Sequence, residues 1–88
     1  MRGVRLIIQG RVQGVGFRYY VLHRARELGI KGYVKNLPNG NVLVEAVGND
    51  ENLPRFIDEC RKGPPLARVT GISASDALNT DYQEFTIK

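Results

Sequence analysis

Two apolar repeats at helical spacing, each set between strand-like stretches, constrain the fold of this 88-residue chain more than any other feature. The repeats run from Phe17 to Leu28 and from Leu53 to Cys60. Stretches rich in β-branched and aliphatic residues precede, separate and follow them. These stretches are residues 4–10, 32–37, 41–47, 67–75 and 82–87. The predicted order is β-α-β-β-α-β, with a short further strand at the C-terminal end.

This order of elements is typical of the ferredoxin-like sandwich, an α+β fold. We expect an antiparallel sheet of four strands plus a short C-terminal edge strand, with both helices on one face. A chain of this length can close around one hydrophobic core but not two, so residues 1–88 are predicted to form one domain. Asn39 and Gly40 predict a tight hairpin turn between the second and third strands, because this pair supports positive φ.

Cysteine and histidine content narrows the possible cofactors. The chain has one cysteine, Cys60, and one histidine, His23, which excludes an internal disulfide, a cysteine-based metal cluster and a multi-histidine site. Cys60 fits the apolar face of the second helix and His23 a surface or packing position. No apolar stretch approaches the roughly 20 residues of a membrane span, and no secretory signal is evident. We expect a cytoplasmic monomer that binds no cofactor and no membrane.

Positive charge is concentrated in the first half of the chain. Residues 1–44 carry eight basic side chains against one acidic residue, a net charge of +7, and residues 45–88 carry five against eight, a net charge of −3. A basic half indicates an anionic partner, which composition leaves open as nucleic acid, a phosphorylated metabolite or a phospholipid surface. RNA binding is disfavoured because the third predicted strand lacks the aromatic residues that stack on bases in RNA-binding sheets.

The loop before the first helix is a candidate anion-binding site. Gly14 and Gly16 make both a helix and a strand unfavourable before Phe17. A glycine-containing turn therefore leads directly into a helix N-terminus. Such a turn aims backbone N–H groups at one point and adds the positive end of the helix dipole, which favours an anion. Arg18 follows in the first helical turn, where its guanidinium can bind two phosphate oxygens. The alternative is a packing turn followed by a solvated arginine.

Two segments make the sequence resemble the acylphosphatase family. Gly10 through Arg18 match the family pattern G-x-V-Q-G-V-x-F-R at every fixed position. Gly32 through Asn36 match a second pattern, G-[aromatic]-V-x-N, which is followed by a turn glycine and a valine at 40 and 42. The resemblance covers nearly the whole chain. Its one mild departure is Asn39, where an aspartate is common.

The resemblance implies a phosphate site and a water site. Backbone N–H groups of one loop would bind the substrate phosphate, and the residues of this loop are Gln13, Gly14, Val15, Gly16, Phe17 and Arg18. The side chain of Arg18 would bind the same phosphate, and Asn36 would position the attacking water. The implied activity is hydrolysis of the carboxyl–phosphate anhydride bond of a small acyl phosphate, giving a carboxylate and inorganic phosphate.

The residue chemistry is compatible with this reaction. The leaving carboxylate has a conjugate acid with a pKa near that of glutamate, about 4.3, so its departure needs no general acid. The amide of Asn36 can orient a water but is too weak a base to deprotonate it. Basic residues surround the loop without an acid, namely Arg11, Arg18, Arg24 and Lys35. We therefore predict a metal-independent hydrolase; the alternative is a non-catalytic phosphate- or nucleic-acid-binding module of the same fold.

Overall fold

The computed structural model describes residues Met1 to Lys88 and consists of two helices and a five-stranded sheet. The elements are β1 (Arg2–Arg11), α1 (Phe17–Glu27), β2 (Lys31–Asn36), β3 (Val42–Gly48), α2 (Asn52–Lys62), β4 (Arg68–Asp76) and β5 (Phe85–Ile87). Across the sheet the order is β4-β1-β3-β2-β5. Neighbouring strands are antiparallel, except that β5 runs parallel to β2 at the edge. The predicted ferredoxin-like α+β sandwich is confirmed.

The core lies between the sheet and the two helices, as the apolar spacings predict. α1 packs over β2 and β5, and α2 packs over β3 and β4. Each element contributes alternate or helically spaced residues, and the buried ones in β1 and the helices are Val4, Leu6, Ile8, Phe17, Val21, Ala25, Leu53, Phe56 and Cys60. Burial raises the pKa of the Cys60 thiol, which makes it an unreactive core residue. His23 is exposed on α1, which confirms its surface position.

Two local predictions were wrong in detail. β5 begins at Phe85 rather than at Tyr82, because the residues before it belong to a connection that crosses the sheet. In the turn of the β2–β3 hairpin Gly40 has a positive φ, 93°, whereas Asn39 does not. The turn closes with the Gly40 N–H donating to the carbonyl oxygen of Leu37 at 3.2 Å.

β4 and β5 lie at opposite edges of the sheet, so the chain between them must cross it. It crosses on the face that the helices leave free. It passes β1 where the Ala77 N–H donates to the Gly3 carbonyl oxygen at 3.2 Å. It passes β3 where the Tyr82 hydroxyl donates to the Glu45 carboxylate at 2.6 Å. Glu45 is only 2% exposed, and Arg5 lies 3.2 Å from its second oxygen. The crossing segment, residues 77–84, thus buries a paired carboxylate on this face.

The Tyr82–Glu45 contact should make stability fall at high pH. Burial, together with the hydrogen bond to Glu45, raises the pKa of Tyr82 from 10.0 to about 12. The folded protein therefore holds this proton more tightly than the unfolded chain, so the stabilisation is complete below pH 10 and is lost as the pH rises to about 12. We expect Tyr82→Phe to flatten the decline of the urea midpoint across this range. Tyr19→Phe, which alters an exposed tyrosine, is the control; equal declines in Tyr82→Phe and the wild type would contradict the expectation.

Candidate active site

β1 and β2 finish at the same end of the sheet, which brings the two sequence motifs close to each other. Both strands are antiparallel to β3, which lies between them. Val42 of β3 is the Cα partner of both Ile8 in β1 and Asn36 in β2. Because adjacent strands are about 4.8 Å apart, Asn36 lies about 10 Å from Ile8 across the sheet. The loop after β1 need only cross the start of β3 to reach Asn36.

The two ends of this loop are fixed in the core. Val12 is 1% exposed before it and Phe17 is 2% exposed after it. Gly10 permits β1 to approach β4 closely, since a Cβ at this position would lie 2.1 Å from the carbonyl oxygen of Arg68. The motif therefore contains anchoring residues as well as exposed ones, and only the stretch between Val12 and Phe17 is free to meet a ligand.

The backbone of the loop offers a row of free donors. Gly14 and Gly16 have φ of 72° and 78°, while Val15 between them has a negative φ. Such alternation gathers successive N–H groups into an anion-binding concavity. None of the seven consecutive N–H groups from Gln13 to Tyr19 donates a hydrogen bond within the chain. The first turn of α1 contains no acidic residue, so the positive end of its dipole is not neutralised locally.

Arg18 is available to an anion at the same place. It is partly buried in the first turn of α1, and it forms neither an ion pair nor a side-chain hydrogen bond. Arg24, expected beside the loop, is instead paired with Glu27 and lies over the Tyr20 ring, with its guanidinium carbon 5.2 Å from the ring centroid. The available positive charge in the first turn therefore belongs to Arg18.

Asn36 carries an unused acceptor. It is the last residue of β2, and its Oδ1 atom is buried without a hydrogen-bond partner. Leaving a buried polar atom unpaired costs about 1–3 kcal/mol, so such atoms are rare and often have a catalytic or water-binding role. An unpaired amide oxygen is the atom needed to accept a hydrogen bond from a water molecule.

The side chain of Gln13 has contacts that the sequence did not reveal. Its Nε2 atom donates to the carbonyl oxygens of Leu37 and Asn41, each at 2.8 Å. Sequence reasoning assigned only the backbone of Gln13 to the site. No side-chain pattern could have identified these contacts, because both acceptors are backbone atoms that any residue would supply.

Two further observations bear on the chemistry of the site. No group of three or more His, Cys, Asp or Glu side chains is arranged to hold a metal ion. Three surface cavities, of about 210, 290 and 280 Å³, are lined by neither the 13–18 loop nor Asn36. The loop and Asn36 therefore lie outside these cavities. No helix has the length and apolar character required to span a bilayer.

Comparison with known proteins gives one family. Residues 4–87 match the acylphosphatase family. The chain is 47% identical to an acylphosphatase of Archaeoglobus fulgidus, with 99% of this chain and 98% of that protein covered. It superposes on the crystal structure of acylphosphatase from Bacillus subtilis with a TM-score of 0.95 at 37% identity, covering 100% of this chain and 99% of that one.

A larger protein contains the same fold. Full-length HypF in its phosphate- and nucleotide-bound form matches with a TM-score of 0.86 at 28% identity, over 99% of this chain but only 12% of that protein. The Archaeoglobus and Bacillus proteins, in contrast, align along nearly their whole length. Because the family match spans residues 4–87 and full-length relatives agree in sequence and in fold, the chain belongs to the acylphosphatase family.

Proposed function

We propose that the 13–18 loop and Arg18 bind the phosphate of an acyl phosphate and that Asn36 orients the water that hydrolyses it. Family membership makes the protein an acyl phosphate hydrolase. The assignment of residues rests on one observation. The row of unpaired N–H groups from Gln13 to Tyr19 lies at the end of the sheet where Asn36 Oδ1 is also unpaired. Donors for an anion and an acceptor for a water thus occur together.

Charge neutralisation and positioning account for the proposed reaction. The water oxygen forms a bond to phosphorus as the bond from phosphorus to the acyl oxygen breaks. The carboxylate leaves without a proton, and both hydrogens of the water end on the dihydrogen phosphate product. Charge on the equatorial oxygens is met by the loop N–H groups and by the guanidinium of Arg18. Asn36 Oδ1 holds the water for in-line attack, which is a positioning effect.

We also propose that residues 1–88 act as one domain, as a cytoplasmic monomer that does not bind nucleic acid. A single copy supplies the loop, Arg18 and Asn36. RNA-binding modules of this fold stack bases on the sheet. Here all seven residues of β3 are buried, and the crossing segment lies over the face away from the helices. That coverage supports the enzyme over a nucleic-acid-binding module.

The test is phosphate release from benzoyl phosphate in the presence of EDTA. We expect turnover that EDTA leaves unchanged. Absence of turnover, or turnover only after Mg²⁺ is added, would refute the proposed metal-independent mechanism. The rival binding module is tested by titrating RNA at increasing salt, because such a protein would bind tightly and lose affinity steeply with salt. We expect no such binding.

A further inference from the structure

We propose that the side chain of Gln13 is a positioning residue, which holds the phosphate-binding loop at a fixed distance from Asn36 and so controls the rate more than phosphate affinity. The inference rests on the proposed function, in which the loop holds the phosphate and Asn36 holds the water. It concerns the Gln13 amide, whereas the proposed phosphate contact uses the backbone N–H of the same residue.

The two acceptors of Gln13 flank the end of the β2–β3 ladder. Asn36 and Val42 are the last pair in this ladder. Leu37 directly follows Asn36, and Asn41 directly precedes Val42. The Gln13 amide therefore bridges the two carbonyl groups beside the pair that contains Asn36, with both distances 2.8 Å. One side chain of the phosphate loop thus contacts the residue after β2 and the residue before β3, beside the proposed water site.

The chemistry of these contacts requires a side-chain amide donor. Both partners are carbonyl oxygens, which only accept, so the atom facing them is the nitrogen and each amide hydrogen has its own acceptor. A carboxylate or a thioether at this position would supply no donor. The identity of Gln13 is therefore explained by the pair of carbonyl groups that it reaches.

The hairpin does not depend on Gln13 for its own closure. The Leu37 carbonyl oxygen also accepts from the Gly40 N–H at 3.2 Å, and the Asn41 carbonyl oxygen also accepts from the Leu37 N–H at 2.8 Å. Each oxygen has two lone pairs, and Gln13 occupies the second. Loss of the amide should leave the turn closed and alter chiefly the placement of the loop relative to it.

The loop has no other hydrogen bond that fixes this placement. Between the buried side chains of Val12 and Phe17, residues 13–15 form no hydrogen bond with the rest of the chain apart from those of the Gln13 amide. A displacement of about 1 Å between reacting groups can cost roughly a hundredfold in rate. The side chain of Gln13 is therefore placed to set the separation of phosphate and water.

The first experiment is Gln13→Met, which keeps the length of the side chain and removes both donors. We expect kcat for benzoyl phosphate to fall about 10- to 100-fold, while the inhibition constant of inorganic phosphate changes less than about threefold, because the free N–H groups and Arg18 remain. Gln9→Met, the same change at an exposed position of β1, is the control and should keep wild-type constants. An unchanged kcat in Gln13→Met, or a loss of phosphate affinity as large as the loss of kcat, would overturn the proposal.

A double-mutant comparison distinguishes positioning from general weakening of the fold. If Gln13 acts through Asn36, adding Gln13→Met to Asn36→Ala should lower kcat by less than about twofold more. Losses that multiply in full would overturn the proposal. If Asn36→Ala alone keeps the wild-type rate, the proposed function itself fails. If Asn36→Ala is slow and Gln13→Met is not, only the inference about Gln13 fails.

A measurement on the wild-type protein covers the case in which Gln13→Met does not fold. Both amide hydrogens of Gln13 donate hydrogen bonds, so their exchange with solvent in NMR spectra should be slowed relative to those of Gln83, an exposed glutamine. Exchange of the Gln13 amide at the rate of the Gln83 amide would overturn the proposal without any variant.

Discussion

Arg18→Ala is expected to lower kcat/KM for benzoyl phosphate about a thousandfold and to weaken inhibition by inorganic phosphate. The guanidinium lies in the first turn of α1 beside the unpaired N–H groups, and it has no ion-pair partner in the folded chain. Charged donors aimed at transferring phosphoryl oxygens contribute on this scale. In the proposed site Arg18 binds the phosphate of the substrate and binds the transition state more strongly, so phosphate affinity and kcat should both fall.

Stability should hardly change in Arg18→Ala, since the substitution leaves no acid unpaired. Arg26→Ala, in the last turn of the same helix, removes an exposed arginine far from the loop and is the matched control. Arg18→Lys keeps the charge but loses the two-pronged geometry, so it should restore only part of the activity. Steady-state kinetics and phosphate inhibition measure these effects. A kcat/KM for Arg18→Ala within about tenfold of the wild type would contradict the proposed role of Arg18.

Local patterns predicted most of the architecture. Apolar spacing and β-branched composition identified both helices and all five strands, because most elements place apolar residues toward the core at helical or alternate spacing. The start of α1 at Phe17 followed from the two glycines before it. The misplaced start of the fifth strand at Tyr82 has a nonlocal cause. The Tyr82 hydroxyl donates to Glu45, which also pairs with Arg5, on the face away from the helices, where the chain crosses the sheet.

The individual residues of the candidate site were predictable from the sequence, but the way the fold brings them together was not. The loop, Arg18 and Asn36 were expected from the two motifs, whereas their placement at one end of the sheet depends on β3 lying between β1 and β2. The shared partner Val42 is a fact of register, which a single sequence does not specify. The same register gives Gln13 its two carbonyl acceptors. What sequence reasoning missed is therefore the set of contacts made to backbone atoms of distant residues.

Asn36→Ala should separate rate from binding. We expect kcat for benzoyl phosphate to fall about a hundredfold, while the inhibition constant of inorganic phosphate stays within about threefold of the wild type. In the proposed mechanism the amide orients the water and does not bear the phosphate charge, so its loss would remove a positioning effect that is realised only in the transition state. Lys31→Ala, at the exposed first residue of β2, is the control and should keep wild-type kinetics.

The same substitution should not destabilise the protein, unlike most changes in a partly buried strand residue. Asn36 Oδ1 is buried without a partner, and an unpaired buried polar atom costs about 1–3 kcal/mol. Removing it should leave the free energy of unfolding unchanged or raise it by up to about 2 kcal/mol, as measured by urea denaturation. Lower stability together with lost phosphate binding would mean that Asn36 supports the loop structurally. A slower enzyme of equal or greater stability is the result expected of a residue retained for the reaction at a cost to the fold.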